Sequence, residues 1–154
     1  MTIAAIVKNV DVACPPRRAF ELFSQRMGEW WPAGLTIGAT PMKAVVIEPR
    51  TGGRWYERGQ DGGETGWGKV LDWAPPVRLL LAWQITAAWK FDPEFETELE
   101  LTFTPLGEGT RVRLEHRNLE RFGEGAEAMA AQLGGGWPGI VEGFAAFANL
   151  HQGE

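Results

Sequence analysis

Polar and apolar positions alternate most strictly from Phe95 to Thr104, where Glu96, Glu98 and Glu100 interleave with Thr97, Leu99, Leu101 and Phe103. A period of two predicts a strand with one face in water. Thr110 to Arg117 repeats the pattern, with Arg111, Arg113 and Glu115 outward and Val112, Leu114 and His116 inward. Pro105-Leu106-Gly107-Glu108-Gly109 joins the two as a hairpin turn. A slip of one residue would turn every apolar side chain outward, so the numbers of residues paired across the hairpin must sum to an odd value. That register sets glutamates against arginines on the wet face and puts His116 beside Leu99 or Leu101.

Upstream, Lys43 to Glu48 begins a meander, and Glu48 to Trp83 carries four tryptophans on what read as three further short strands. Gly52-Gly53 frees the backbone before the aromatic run Arg54 to Arg58, Asp61-Gly62 is a hairpin dipeptide, and Pro75-Pro76 stops one strand before Val77 to Ile85 resumes. A sheet with so wide an aromatic face cannot bury it alone, so a helix, a ligand or both must cover it. Before the meander, Ala5 to Val12 reads as a strand with Ile6, Val10 and Val12 on one face. Lys8 breaks that pattern, as an edge strand would allow. Pro15-Pro16 opens a helix with Ala19, Phe20, Leu22 and Phe23 inward, Met27 to Trp31 adds a short turn, and Ala33 to Met42 lacks a period and suits a cavity rim. Near the C-terminus, a short helix at Glu124 to Leu133 is expected to break at Gly134-Gly135-Gly136. A second helix then follows, with Pro138 in its first turn and Trp137, Ile140, Val141, Phe144, Phe147 and Ala148 on one face.

With 154 residues and 44% hydrophobic content the chain fits a single domain, residues 1–154, able to bury a core without staples. A net charge of −5 with scattered basic residues argues against nucleic acid and against insertion into an anionic membrane. One cysteine, Cys14, and no long apolar run or signal-peptide pattern suit the cytoplasm. No HExxH, GxSxG, CxxC or phosphate-loop motif occurs. Gly123 to Ala128 matches GxGxxA, but two glutamates stand where a pyrophosphate would dock, so it reads as a lead into a helix. With only His116 and His151 available, no metal and no cofactor is expected.

Several local motifs, in this order, resemble a known family: Cys14-Pro15-Pro16 with Ala19-Phe20, Trp30-Trp31, Gly52-Gly53-Arg54-Trp55, Gly68 with Val70, Pro75-Pro76 with Leu79, Thr110 to His116, and Gly136-Trp137. Together they look like the START-like (SRPBCC) superfamily, in the branch related to the C-terminal domain of the activator of the heat-shock-protein ATPase. The resemblance implies an α+β helix-grip fold, a curved antiparallel sheet wrapped around a long C-terminal helix with an apolar cavity between them. It fixes architecture better than activity, because function resides in the site and not in the fold.

On that architecture the leading expectation is binding of a small hydrophobic or aromatic molecule. Trp55, Trp83, Leu99, Leu101, Trp137, Val141 and Phe144 would supply the walls, and His116 would orient the ligand. The simpler reading of His116 is a satisfied core histidine. The alternatives are a cofactor-independent cyclase or dehydratase with His116 as acid or base, and a chaperone-associated interaction module. Glu57 would share the inward face with Trp55 and could pair with His116, although a solvated Glu57 is the simpler reading. The sequence is compatible with a reaction and with a homodimer.

Overall fold

The computed structural model describes residues 2–152. Seven strands form one antiparallel sheet: β1 (Ile6–Val12), β2 (Met42–Ile47), β3 (Arg54–Gly59), β4 (Glu64–Ala74), β5 (Arg78–Trp83), β6 (Thr97–Leu106) and β7 (Gly109–Arg117), in the order β1-β7-β6-β5-β4-β3-β2. β2 to β7 run as a meander. β1 lies at the far edge beside β7, so the chain between β1 and β2 must cross the sheet, which it does through α1 (Pro16–Gln25), α2 (Met27–Trp30) and a loop. Register shifts at Met42/Ala44, Trp55/Tyr56 and Val70/Asp72 mark bulges, the local bends by which such a sheet curls. A short 3-10 helix (Leu119–Phe122) leads into α3 (Ala126–Leu150), which lies in the grip of the sheet. The expected α+β helix-grip fold is the one observed.

β6 and β7 pair as the alternation requires, with Leu99 opposite His116 and Leu101 opposite Leu114. On the wet face Glu98 stands opposite Arg117, but Glu100 stands opposite Glu115. Like charges directly opposed are unfavourable. Arg117 bridges them, donating to Glu100 at 2.8 Å and Glu115 at 3.2 Å, and Arg78 on β5 holds Glu100 from the other side. Lys8 sits half-buried among Ile6, Val10 and Val12 on the inner face of β1, which is an edge strand.

The C-terminal segment differs from its sequence reading. α3 is one 25-residue helix that runs through Gly134-Gly135-Gly136 and carries Pro138 inside it, with no break. Burial of Met129, Leu133, Trp137, Ile140, Val141 and Phe144 along one continuous stripe outweighs the glycines' poor helix propensity. Gly68 shows the opposite case, a position where glycine is required. A Cβ there would fall 1.7 Å from the carbonyl oxygen of Ala82, so β4 and β5 meet closely only because the side chain is absent. Among the described residues no helix is long and apolar enough to cross a membrane.

Candidate functional site

A cavity of about 400 Å³ lies between the inner face of the sheet and the middle of α3, within the usual range for small-molecule sites of roughly 300–1,000 Å³. The sheet contributes Trp67 and Trp83, followed by Ile85. α3 contributes Leu133, Gly136, Trp137 and Ile140, with Gln132 exposed beside them, and Trp31 closes the end next to α2. The rim loop expected at Ala33 to Met42 lines it with Gly34 to Ile37, and Trp89 arrives from the loop after β5. No charged side chain is among the lining residues.

Five indoles thus surround one space. They meet edge-on or tilted, Trp31 to Trp67 at 5.1 Å between centroids, Trp31 to Trp137 at 6.0 Å and Trp83 to Trp137 at 5.8 Å. Aromatic pairs favour these geometries over face-to-face contact. Four of the five indole N–H groups are already committed: Trp31 donates to the Leu35 carbonyl at 2.9 Å, Trp67 to Glu57 at 2.9 Å, Trp83 to the Ile85 carbonyl at 3.0 Å and Trp137 to His116 at 3.2 Å. These rings therefore offer the cavity apolar surface rather than donors. Trp89 is held differently. Its φ of +59° is rare for a bulky residue. The turn that imposes it is closed by the Trp89 N–H to Thr86 carbonyl bond at 2.9 Å and by an Ile85–Phe91 bridge. Trp89 as a whole remains 38% exposed.

His116 is fully buried behind two of these walls, its ring 5.1 Å from that of Trp83 and 5.9 Å from that of Trp137. Trp137 can only donate, so Nδ1 is the acceptor and the proton sits on Nε2, 2.8 Å from Thr97 Oγ1. Burial pushes its pKa down from 6.5 to about 3. Both nitrogens are engaged and neither reaches the cavity, so the ring holds its neighbours in place and has no free lone pair for proton transfer.

Glu57 is 1% exposed rather than solvated. It accepts from the Thr36 hydroxyl, from the Ile37 N–H at 2.8 Å and from Trp67 Nε1 at 2.9 Å. Its partners come from the rim loop and β4, not from His116. One carboxylate therefore ties a cavity wall to the loop that rims it. Tyr56, on the other face of β3, is covered by the guanidinium groups of Arg54 and Arg58 at 4.1 and 5.8 Å.

Of the residues expected at the site, Trp83 and Trp137 stand on the cavity wall. Trp55 packs behind them against Trp67 and Trp83, at 5.6 and 6.0 Å, and its buried Nε1 has no hydrogen-bond partner among the described residues. Leu99 and Leu101 lie in the core on β6, Val141 is buried on α3, and Phe144 packs on Phe23 and Trp30 at 5.1 Å each. Trp31, Thr36, Trp67, Trp89 and Gln132 also line it; Thr36 falls in the rim loop expected from the sequence, but none of the five is singled out there as a ligand contact. Trp31, Thr36 and Trp89 belong to irregular segments, where no period signals direction. No group of His, Cys, Asp and Glu that could hold a metal ion occurs among the described residues.

Residues 13–149 match the family described as Activator of Hsp90 ATPase homolog 1-like protein. Among solved structures, the chain is 38% identical to the anthrahydroquino-gamma-pyrone synthase Txn09, with a TM-score of 0.67 over 94% of this chain and 97% of that one. It is 27% identical to the self-sacrificing resistance protein CalC from Micromonospora echinospora, with a TM-score of 0.72 over 97% of each chain. The Aha1 dimer from Colwellia psychrerythraea, at 15% identity and a TM-score of 0.64 over 93% of this chain and 94% of that one, shares the fold. No curated protein gives a significant match.

Proposed function

The chain belongs to the Activator of Hsp90 ATPase homolog 1-like family, and from that premise we propose that it binds a planar, largely apolar polycyclic aromatic molecule in the cavity between sheet, rim loop and α3. The observation that carries this reading is the lining itself: five indoles and no charged side chain around about 400 Å³. With four indole N–H groups turned into the protein, affinity comes from ring contact and apolar burial, which favours a flat ligand over a saturated one of equal carbon number. Thr36 and Gln132 supply the polar side chains. Similarity to an anthrahydroquino-gamma-pyrone synthase supports a fused-ring ligand.

The same likeness, at 38% identity across nearly both chains, favours one second reading, a ring-closing enzyme that works without a cofactor. In that case the cavity's own contribution is to hold the substrate flat between indoles and exclude water, which raises the effective concentration of the reacting groups. His116 takes no part in proton transfer on either reading. Titrating tryptophan emission with 9,10-anthraquinone and with its saturated skeleton, perhydroanthracene, tests the binding proposal. A saturable response that is at least tenfold tighter for the flat compound is expected. Equal affinities, or no saturation with either, would overturn it.

A further inference from the structure

We propose that Thr36, backed by Glu57, is a one-way hydrogen-bond acceptor that selects aromatic ligands bearing a free hydroxyl, phenolic or enolic, on the ring edge facing the rim loop. The inference deepens the reading of the cavity as a ligand site and rests on it.

A carboxylate can only accept, so the contact between Thr36 Oγ1 and Glu57 Oε2 uses the single hydroxyl proton of Thr36. Glu57 is fixed in that role by two further donors, the Ile37 N–H at 2.8 Å and the Trp67 indole at 2.9 Å. Among the described residues the only other hydrogen bond to Thr36 Oγ1 is from the Gly38 N–H at 3.4 Å, long for an N–H···O bond. Thr36 lines the cavity, and to a ligand group that reaches its hydroxyl the oxygen has a lone pair to offer and no proton. A ligand hydroxyl placed there completes a chain from ligand O–H to Thr36 to Glu57, in which each bond polarises the next. A ligand carbonyl or ether would set lone pair against lone pair. An ionised phenolate fares worse, since it has no proton to give and meets a carboxylate one hydroxyl away. Sites built around one hydroxyl in this way discriminate against analogues that lack it, because their own polar group is left unpaired.

The test is a cycle between ligand and protein. 2-Hydroxyanthraquinone and 2-methylanthraquinone differ by hydroxyl for methyl, and Thr36→Val makes the same exchange in the protein. Affinities are read from tryptophan quenching at a pH below the ionisation of the free hydroxy probe, for the wild type, Thr36→Val and Thr36→Ser. The ratio of hydroxy to methyl affinity is expected to fall roughly tenfold in Thr36→Val, about the value of one net hydrogen bond, and to be retained in Thr36→Ser. Independently of either variant, the absorbance of the hydroxy probe bound to the wild type should show it ionising at a higher pH than the free probe. A ratio unchanged by Thr36→Val, or a bound probe ionising at or below the pH of the free one, would overturn the proposal. Failure of both probes to bind the wild type would instead overturn the cavity reading on which it rests.

Discussion

Trp137 donates its indole N–H to Nδ1 of His116 across 3.2 Å, and that one contact decides the character of both residues. The imidazole is held neutral with its proton on Nε2, toward Thr97, and the indole is pinned with its ring on the cavity wall. A histidine inside an apolar fold invites a catalytic reading. Here it is the peg that sets the position of a wall.

Stability should carry the signature of that peg. The folded-state pKa of His116 is depressed by burial to about 3, against 6.5 for the free side chain. Its contribution is thus complete above pH 6.5 and is lost as pH falls toward 3, at up to about 1.4 kcal/mol per pH unit. Urea unfolding at pH 7, 6 and 5 should show His116→Gln about 1–3 kcal/mol less stable at pH 7, with the gap narrowing on acidification. Parallel curves for the two proteins would contradict a buried neutral imidazole.

Glu57 should behave as the anchor of the rim. Glu57→Ala leaves the Ile37 N–H and the Trp67 indole without their acceptor, a loss of about 2–5 kcal/mol for a buried hydrogen-bonded charge. Hydrogen exchange at the Ile37 amide should accelerate well beyond the change in global stability. An Ile37 amide that keeps its wild-type protection would show that other contacts hold the loop.

Glycines in this chain divide into two kinds, and alanine scanning should separate them. A Cβ at Gly134 or Gly135 meets nothing within 4 Å, so Gly134→Ala and Gly135→Ala should each stabilise α3 by about 0.5–1 kcal/mol. Gly68→Ala forces a methyl into the Ala82 carbonyl and should be strongly destabilising, beyond about 3 kcal/mol. Thermal melts of the three variants check both directions. Destabilisation by all three would mean that α3 bends at its glycines.

Much of the fold was legible because one face of each strand is buried, so the period of two in β6 and β7 fixed direction and register together. The continuity of α3 was not. Three successive glycines and a proline are a local signal for a break, and the force that overrides it is packing against strands distant in sequence. The site divides in the same way. Trp83 and Trp137 lie on regular elements and could be oriented by periodicity, whereas Leu35, Thr36, Ile37 and Trp89 lie on loops whose side-chain directions depend on tertiary hydrogen bonds. Glu57 could be placed on the inward face with Trp55, yet its burial follows from donors on a loop about 20 residues earlier in the chain.

Calorimetric titration of 2-hydroxyanthraquinone into the wild type and into Gly136→Leu asks whether the ligand occupies the indole-lined cavity. Gly136 lines the cavity, and its missing side chain has nothing within 4 Å. Leucine there projects into the ligand's space and also improves helix propensity, so the plug should not unfold the protein. One molecule per chain is expected to bind the wild type, and affinity is expected to fall at least tenfold in Gly136→Leu with an equal or higher melting temperature. Undiminished binding to a folded Gly136→Leu variant would place the ligand elsewhere and contradict the account.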